Sequence, residues 1–334
     1  MHGLWQDVLE LPGSLQTTLD RSDGFADVAA ELRRPAVDRV VATGNGAAFY
    51  VALGLGLASL ETAAGPPVAA VPAGLIAAGR FAWRPGDLLL AVSSSGELRD
   101  LVDPILADRL PVPYVTITSS PESTIARGAR ARALVHVLEQ RAVTHTQAYC
   151  GNVAAALAVW AAATDDAALA AAVAGAPEAI ARRLDALAPA GADAVAGLPT
   201  AAIAFGAGAG WAAALETALL LKEVSCVPAE GQEAREGATS GMMGLRAGCL
   251  AVGIRTGSPL DAEAELQCAE RGATVVAIDG GREPRLAQIA SFPESVALAI
   301  ALAERAGLDV DDPDWTAAYY RTARTNDDVA PAAD

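Results

Sequence analysis

Three apolar runs in the first half of the chain recur in the second half at a constant distance of 162 residues. Residues 40–47 correspond to 202–209, residues 89–92 to 251–254, and residues 114–117 to 276–279. Each run is short, partly β-branched and closed by a small or polar residue, which is typical of buried parallel strands. Since three runs that keep one offset rarely arise by chance, we interpret the chain as two similar halves.

Helical stretches separate these strands. They cover residues 47–61, 97–109, 212–226 and 259–271. Strands that alternate with helices predict the α/β class, with two doubly wound parallel sheets in tandem. Such sheets bind ligands beyond the carboxyl ends of their strands.

An Ala-rich helical region joins the two halves, and we place the domain boundary within it. The expected organisation is a first domain over residues 24–177, a second over 178–325, and peripheral arms at 1–23 and 326–334. A chain of 334 residues with 52% hydrophobic content is long enough to bury the cores of two such domains.

Charge and cysteine usage exclude several functional classes. The net charge is −16, with 40 acidic residues against 24 basic ones, which argues against nucleic-acid binding. Four dispersed cysteines and three histidines show no zinc-ligand spacing, so we expect free thiols, no metal and no cofactor.

The sequence also predicts no membrane segment. The uncharged run 194–215 is interrupted by Pro199 and by several glycines, and no signal peptide opens the chain. These features favour a cytoplasmic protein.

The stretch 88–100 reads as a strand, a serine-rich turn and a helix. The hydroxyls of Ser93, Ser94 and Ser95, together with the free N–H groups of a helix start, would converge on one point and could hold a phosphate without lysine. The alternative interpretation is an ordinary helix N-cap with spare serines.

This stretch, together with Thr43, Gly44, Asn45 and Gly46, resembles the phosphate loop of SIS (sugar isomerase) domains. Residues 206–208, 214–225 and 229–231 are similar to the isomerase domain of glucosamine-6-phosphate synthase and its relatives, which are tandem SIS proteins. The resemblance covers nearly the whole chain, including residues 7–12, although the glutamine-hydrolysing domain has no counterpart.

The resemblance implies two flavodoxin-like domains, a sugar phosphate held in a cleft between the two halves, and a homodimer with active sites at the subunit interface. It also implies that the second half has lost its own phosphate loop. Residues 255–258, at the equivalent position, are indeed not serine-rich.

By position in the family motif, Glu223 is the base that moves a proton between C2 and C1 of an open-chain sugar. Without the motif, Glu223 would be interpreted as a surface glutamate at a helix end. Lys222 is the only lysine of the chain and is a second candidate. The alternative for Lys222 is an ion pair with Glu216 or another carboxylate.

Several positions depart from the family pattern. Thr239 stands where the isomerases carry a ring-opening histidine, Leu220 replaces a lysine, and Leu98 replaces the phosphate-loop threonine. These changes put the synthase activity itself in doubt, because a hydroxyl without a nearby base opens a sugar ring poorly.

Residues 142–148 resemble the family segment that contacts the sugar, through Val143, His145 and Thr146. His145 occupies a position where a small hydroxyl residue is usual. It could serve as a ring-opening acid or base near neutral pH, or it could only shape the pocket.

Two main functional hypotheses follow. One is an enzyme that isomerises or deaminates a phosphorylated ketose or aminosugar, with Glu223 as proton shuttle. The other is a sugar-phosphate sensor that kept the cleft and lost turnover. A third is recruitment to a specialised aminosugar pathway. Because the leading residues are too few and too acidic for a basic helix-turn-helix, we do not expect a transcription regulator.

Overall fold

The computed structural model describes residues 1–187, 195 and 197–323. The expected C-terminal arm, 326–334, lies outside the described residues. The nine strands are β1 (Arg39–Gly44), β2 (Val68–Pro72), β3 (Asp87–Val92), β4 (Tyr114–Thr118), β5 (Arg132–Leu134), β6 (Ala202–Gly206), β7 (Ala229–Glu233), β8 (Leu250–Arg255) and β9 (Thr274–Asp279).

Helices follow or precede these strands throughout the chain. Those of the N-terminal half are α1 (Gly3–Leu9), α2 (Leu11–Arg21), α3 (Phe25–Leu32), α4 (Ala47–Leu60), α5 (Ala73–Ala77), α6 (Arg99–Leu106), α7 (Thr124–Gly128) and α8 (Gln147–Thr164). Those of the C-terminal half are α9 (Ala167–Ala174), α10 (Ala176–Ala186), α11 (Gly210–Ser225), α12 (Ala234–Thr239), α13 (Pro259–Glu270), α14 (Ala287–Ala290), α15 (Phe292–Ala306) and α16 (Thr316–Ala323).

All the strand pairs are parallel and form two sheets. The first sheet has the order β2-β1-β3-β4-β5, and the second has the order β7-β6-β8-β9. The first order is that of flavodoxin-like doubly wound sheets. The predicted fold class, α/β with two parallel sheets, is therefore confirmed.

The internal repeat is visible in the strand register. In the first sheet Thr43 lies opposite Ala91, and in the second sheet Phe205 lies opposite Gly253, so both members of the pair keep the 162-residue offset. β4 and β9 depart from this offset, because Leu89 of β3 pairs with Tyr114 of β4, whereas Ala251 of β8 pairs with Val275 of β9. The offset there is one residue shorter than the sequence comparison suggests.

Three strands escaped the sequence analysis, namely β2, β5 and β7. The stretch 229–244, which was expected to be a glutamate-rich loop, forms β7, α12 and a short 3-10 helix, Gly241–Gly244. β7 is an edge strand whose residues are only partly buried, so it tolerates polar side chains. Gly231 is required there, because a Cβ atom would lie 2.4 Å from the Cα atom of Leu215 in α11.

Clustering of the contacts divides the chain into two compact units, each made of discontinuous segments. One comprises Gly13–Leu138, Gln147–Ala174 and Asp314–Asp334, and it contains the first sheet. The other comprises Met1–Pro12, Glu139–Thr146 and Gly175–Pro313, and it contains the second sheet. We refer to them as the β1 unit and the β6 unit.

The N-terminal residues, expected to be a peripheral arm, form α1 and α2. In α1 the side chains of Leu4 and Val8 are fully buried, and in α2 the same holds for Leu11 and Leu15. A helix with an apolar face is stable when that face is buried against other parts of the protein. This burial explains why both segments form packed helices.

One apolar segment in the described chain, Pro284–Ala306, is long enough to cross a membrane by length and composition. Within its most apolar window 78% of the surface is buried inside the protein. That burial is what the core helix of a folded domain shows.

Candidate functional site

The serine loop, residues 93–96, follows β3 in the β1 unit. The Ser93 hydroxyl accepts the N–H of Gly96 at 3.1 Å, and the Ser95 hydroxyl accepts that of Glu97 at 3.3 Å. Both oxygens are thereby fixed, while each O–H hydrogen remains available to an anion. The sharp turn depends on Gly96, which has φ = +64° and whose Cβ would lie 1.9 Å from the Ser123 Oγ.

The middle serine is oriented by a residue that the sequence analysis did not single out. Asn152 of α8 is 1% exposed, and its Nδ2 donates a hydrogen bond of 3.0 Å to the Ser94 Oγ. Because that bond uses a lone pair of the hydroxyl, the Ser94 hydrogen is left to donate elsewhere. The Ser94 carbonyl accepts bonds from the Thr118 and Ser119 hydroxyls, both at 3.1 Å.

The loop after β1 has mixed roles. The buried Thr43 hydroxyl donates to the Val71 carbonyl at 2.6 Å and so ties β1 to β2. Asn45 donates from its side chain to Asp100 at 2.8 Å. Gly44 lets α4 approach, because a Cβ there would lie 2.6 Å from the Ala48 carbonyl carbon. Gly46 has φ = +53° and open space around it.

In the β6 unit, the chemistry centres on Glu223 in the last turn of α11. Burial raises the pKa of the Glu223 carboxyl to about 7, and the charge of Lys222 opposes this rise. Lys222 itself is exposed. A carboxyl with a pKa near 7 is half ionised at neutral pH and can accept or return a proton.

A second carboxyl on α11, Glu216, is 4% exposed. Burial and, after it, the charge of Glu223 raise the pKa of Glu216 well above its ordinary value. Its Oε2 atom has no hydrogen-bond partner among the described residues. Leu220, between them on the helix, is fully buried and offers no charge.

The segment Glu139–Thr146 belongs to the same unit as α11. Thr144 and Thr146 are 3% and 1% exposed, while Val143 and His145 are partly buried. The Thr146 hydroxyl has no hydrogen-bond partner among the described residues. The buried Thr144 hydroxyl, which the sequence analysis left without a role, likewise has no such partner there, although it lies near enough to the Glu223 carboxyl to lower its pKa.

Thr239 lies in α12 with an exposed side chain. Its hydroxyl donates a bond of 2.8 Å to the Arg235 carbonyl one helical turn earlier. The interpretation that Thr239 does not open a sugar ring stays a prediction.

The loop 255–258 of the β6 unit, which corresponds to the serine loop, is occupied by a carboxylate of the chain. Asp261 is 2% exposed and accepts the N–H of Ala207 at 3.1 Å. It also accepts the N–H and the hydroxyl of Thr256, at 2.7 and 3.0 Å. When the two halves are aligned with the offset of 162 residues, Ala207 corresponds to Asn45 and Thr256 corresponds to Ser94. Asp261 corresponds to Arg99, so the buried carboxylate has no counterpart in the β1 unit.

In the part of the chain that the structure describes, no group of three His, Cys, Asp or Glu side chains is arranged to hold a metal ion. The serine, threonine and glutamate side chains named above offer hydrogen bonding and proton transfer.

Comparisons with known proteins bear on the family and the fold. Residues 36–164, which contain the first sheet, match the SIS domain family model. This part of the chain is therefore similar to SIS domains. No curated protein sequence matches the chain.

Solved structures match nearly the whole chain. A protein from Silicibacter pomeroyi DSS-3, described as a phosphosugar isomerase, is 25% identical with a TM-score of 0.77, covering 93% of this chain and 100% of its own. The C-terminal domain of glucosamine-fructose-6-phosphate aminotransferase from Francisella tularensis is 19% identical with a TM-score of 0.77, covering 94% and 98%. Tagatose-6-phosphate ketose/aldose isomerase from Escherichia coli is 17% identical with a TM-score of 0.77, covering 92% and 94%.

Proposed function

We propose that this protein binds a phosphorylated sugar and isomerises it, with Glu223 as the group that moves the proton. The observation that carries the proposal is the Glu223 carboxyl, whose pKa of about 7 suits it to proton transfer at neutral pH. The SIS domain and the phosphosugar isomerases among the similar structures support the substrate class.

In this reaction the ionised Glu223 takes the proton from C2 of an open-chain aldose phosphate, which leaves an enediolate with its charge on O1. A proton passes from O2 to O1 and protonated Glu223 gives its proton to C1, which yields the ketose without a co-reactant. While it is held on Glu223, the proton can exchange with solvent. For an aminosugar phosphate the corresponding imine takes up water and releases ammonia, which makes a deaminase the close alternative. A glucosamine-6-phosphate deaminase from Thermotoga maritima shares the fold, with a TM-score of 0.70 and 16% identity.

The serine loop supports binding of the phosphate group. Ser93, Ser94 and Ser95 keep O–H donors while their oxygens are held by Gly96, Asn152 and Glu97. A site of neutral donors fits a chain with a net charge of −16, because the local hydrogen bonds then replace the attraction of accumulated cations.

A sugar-phosphate sensor is the second candidate. It is favoured by Thr239, whose hydroxyl is engaged with Arg235, and by the apolar Leu220. A sensor needs the serine loop but not the Glu223 base. The homodimer, the cytoplasmic location and the domain boundary near residue 178 stay predictions alongside either function.

The test is a thermal-shift screen against hexose and aminosugar phosphates and their unphosphorylated forms, because a ligand of the folded state raises Tm. We expect a phosphorylated sugar to raise Tm and the double variant Ser94→Ala/Ser95→Ala to lose at least tenfold in affinity for it. Ser59→Ala, which removes a hydroxyl within α4, is the matched control. Equal losses for phosphorylated and unphosphorylated ligands would mean that the loop does not contact phosphate.

Each ligand found is then incubated with the protein in D₂O and followed by NMR. Formation of the isomer, with deuterium at C1 of the ketose or at C2 of the recovered aldose, indicates the enzyme. A ligand that binds and over days gives neither isomer nor proton exchange would overturn the isomerase and leave the sensor.

A further inference from the structure

The middle hydroxyl of the serine loop is bonded to a single side chain of α8. The Nδ2 atom of Asn152 donates to the Ser94 Oγ at 3.0 Å, and Asn152 is 1% exposed. The helix packs closely beside this residue, because a Cβ atom on Gly151 would lie 2.4 Å from the Val135 Cγ1. The Asn152 amide is therefore held in place and directed at one hydroxyl.

The orientation of the Asn152 amide decides where the Ser94 hydrogen points. With Nδ2 as the donor, the Ser94 oxygen accepts and its hydrogen is available to another acceptor. The reversed amide would put its N–H donors where Oδ1 now lies, which is a buried position without a hydrogen-bond partner among the described residues. Buried N–H groups without a partner are rarer than buried C=O groups without one, so the observed orientation is favoured. Since Oδ1 is buried, the amide presents no acceptor to the loop.

The other two hydroxyls of the loop are in the same state. Main-chain N–H groups of Gly96 and Glu97 donate to the Ser93 Oγ and the Ser95 Oγ, at 3.1 and 3.3 Å. Among the described residues, none of the three serine hydroxyls donates to a group of the chain itself. All three O–H hydrogens thus remain for a ligand.

The second half of the chain shows how a loop of this form holds an anion. Thr256, the counterpart of Ser94, donates its N–H and its hydroxyl to the Asp261 carboxylate at 2.7 and 3.0 Å. Ala207, the counterpart of Asn45, donates its N–H to the same carboxylate at 3.1 Å. In the β1 unit no described group accepts the N–H of Asn45 or of Ser94. An anion there would meet the same three donors, which we call the Ser94 cradle: the Ser94 N–H, the Ser94 hydroxyl and the Asn45 N–H.

From these contacts we infer that Asn152 is a positioning residue that makes the Ser94 cradle selective for fully ionised oxyanions. It holds the Ser94 hydroxyl as a donor, so the cradle offers hydrogen-bond donors and no acceptor. The monoanion of a phosphate ester carries a hydrogen that needs an acceptor, whereas the dianion carries none. That the natural ligand is a sugar phosphate rests on the proposed function, but the selection of the charge state does not.

Charged groups near the loop lie outside α8, since Gln147–Thr164 carries no charged side chain. Glu97 accepts the N–H of Thr124, and Asp100 accepts the Asn45 side chain, both at 2.8 Å. Their charges act on any anion in the cradle, so two anions must be compared on the same protein. The charged residues of the adjoining segments are Glu97, Arg99, Asp100 and Glu122.

The experiment compares methyl phosphate, whose second pKa is about 6, with sulfate, which stays fully ionised. Binding is followed between pH 5 and pH 8 through the nitrogen-15 NMR signals of the Asn45 and Ser94 N–H groups, so that only binding at this loop is counted. In the wild type the ratio of methyl phosphate affinity to sulfate affinity should fall about tenfold from pH 8 to pH 5, because the dianion becomes the monoanion.

Asn152→Leu removes the donor and keeps a side chain of similar size. The Ser94 hydroxyl can then turn and accept the hydrogen of the monoanion, so the ratio should fall by less than about threefold. Adding Ser94→Ala should restore the fall of about tenfold, because only N–H donors remain in the cradle and Asn152 acts through Ser94 alone. A general loss of packing would not be reversed by a second deletion.

Thr164→Val is the matched control on the same helix, since the Thr164 hydroxyl donates to the Trp160 carbonyl at the far end of α8. It should leave the ratio and its pH dependence unchanged. If Asn152→Leu fails to fold, Asn152→Ala removes the amide without adding an apolar branch, and it should flatten the ratio in the same way.

A fall of about tenfold that persists in Asn152→Leu and Asn152→Ala would overturn the positioning role. A flat ratio that Ser94→Ala does not restore would do the same. Signals that respond to neither anion in the wild type would remove the cradle itself. If the ratios behave as expected while no phosphorylated sugar exchanges its C2 proton, the role of Asn152 stands and the proposed isomerase fails.

Discussion

Glu216 and Glu223 lie seven residues apart on α11, two turns along the same face of the helix. Burial and the charge of Glu223 raise the pKa of Glu216 well above its ordinary value, and burial raises that of Glu223 to about 7. Two carboxyls in this arrangement do not both ionise at neutral pH. Ionisation of Glu223 thus favours the protonated form of Glu216.

The raised pKa of Glu223 predicts how the rate of turnover depends on pH. Because a base must be ionised, exchange of the C2 proton should rise with pH and reach half of its maximum near pH 7. Glu223→Gln should lower the exchange rate by at least about 100-fold while leaving sugar-phosphate affinity within about threefold. NMR in D₂O measures the first quantity and calorimetry the second. Exchange that persists in Glu223→Gln would exclude Glu223 from the reaction.

The same carboxyls predict how stability depends on pH. A carboxyl whose pKa is higher in the folded than in the unfolded state contributes stability below its unfolded pKa of 4.5, and this is lost as the pH rises through about 7. Glu223→Gln should remove this loss and increase the free energy of unfolding at pH 8 by up to about 3 kcal/mol. Glu216→Gln should also stabilise the protein at alkaline pH, because its pKa is raised too.

Urea unfolding at pH 5 and pH 8 measures both effects. The exposed Glu230 on β7 supplies the control, since Glu230→Gln should change the free energy of unfolding by less than about 0.5 kcal/mol at either pH. Equal stabilisation by Glu223→Gln at pH 5 and pH 8 would mean that its carboxyl is not the group that titrates between them.

His145 leads to a prediction about the form of the substrate. If its imidazole opens the sugar ring, His145→Ala should slow the use of the cyclic sugar by about 100-fold and leave exchange of an open-chain analogue unchanged. Rate measurements on both forms make the comparison. An equal effect on both forms would assign His145 to the shape of the pocket.

The carboxylate of Asp261 predicts chemical rescue. Asp261→Ala should leave the N–H groups of Ala207 and Thr256 unbonded and destabilise the protein by about 2 to 4 kcal/mol. Phosphate or sulfate should then raise the Tm of the variant by several degrees more than that of the wild type, by binding where the carboxylate was.

Val252→Ala, in the neighbouring strand β8, is the control for Asp261→Ala. It should be destabilised through lost packing, because Val252 is fully buried, and should gain nothing specific from the anions. A gain of equal size in both variants would show that the salts act by a general effect on folding and not at the vacated loop.

Much of the fold could be predicted from the sequence, because the central strands β1, β3, β6 and β8 are continuous apolar runs buried on both faces. The edge strands β2, β5 and β7 could not. β7 pairs on one side only and carries two glutamates and a glutamine, so no hydrophobic pattern marks it. In the internal repeat, β9 is shifted by one residue relative to β4. The sequence does not reveal this shift, because apolar residues occupy the matching positions in either alignment.

The residues of the candidate sites in the two units were only partly predictable. Glu216 could have been found, because a spacing of seven places two carboxyls on one helix face. Asn152 could not, since its partner Ser94 is 58 residues away in the chain and no local pattern connects them.

The composition of the β6 unit also has a consequence for refolding. Residues Met1–Pro12 share this unit with segments that run to Pro313, so its contacts join parts of the chain that are far apart in sequence. Because the entropy of closing long loops opposes such contacts, they form slowly. The surroundings of Glu223 should therefore be among the last parts of the protein to assemble.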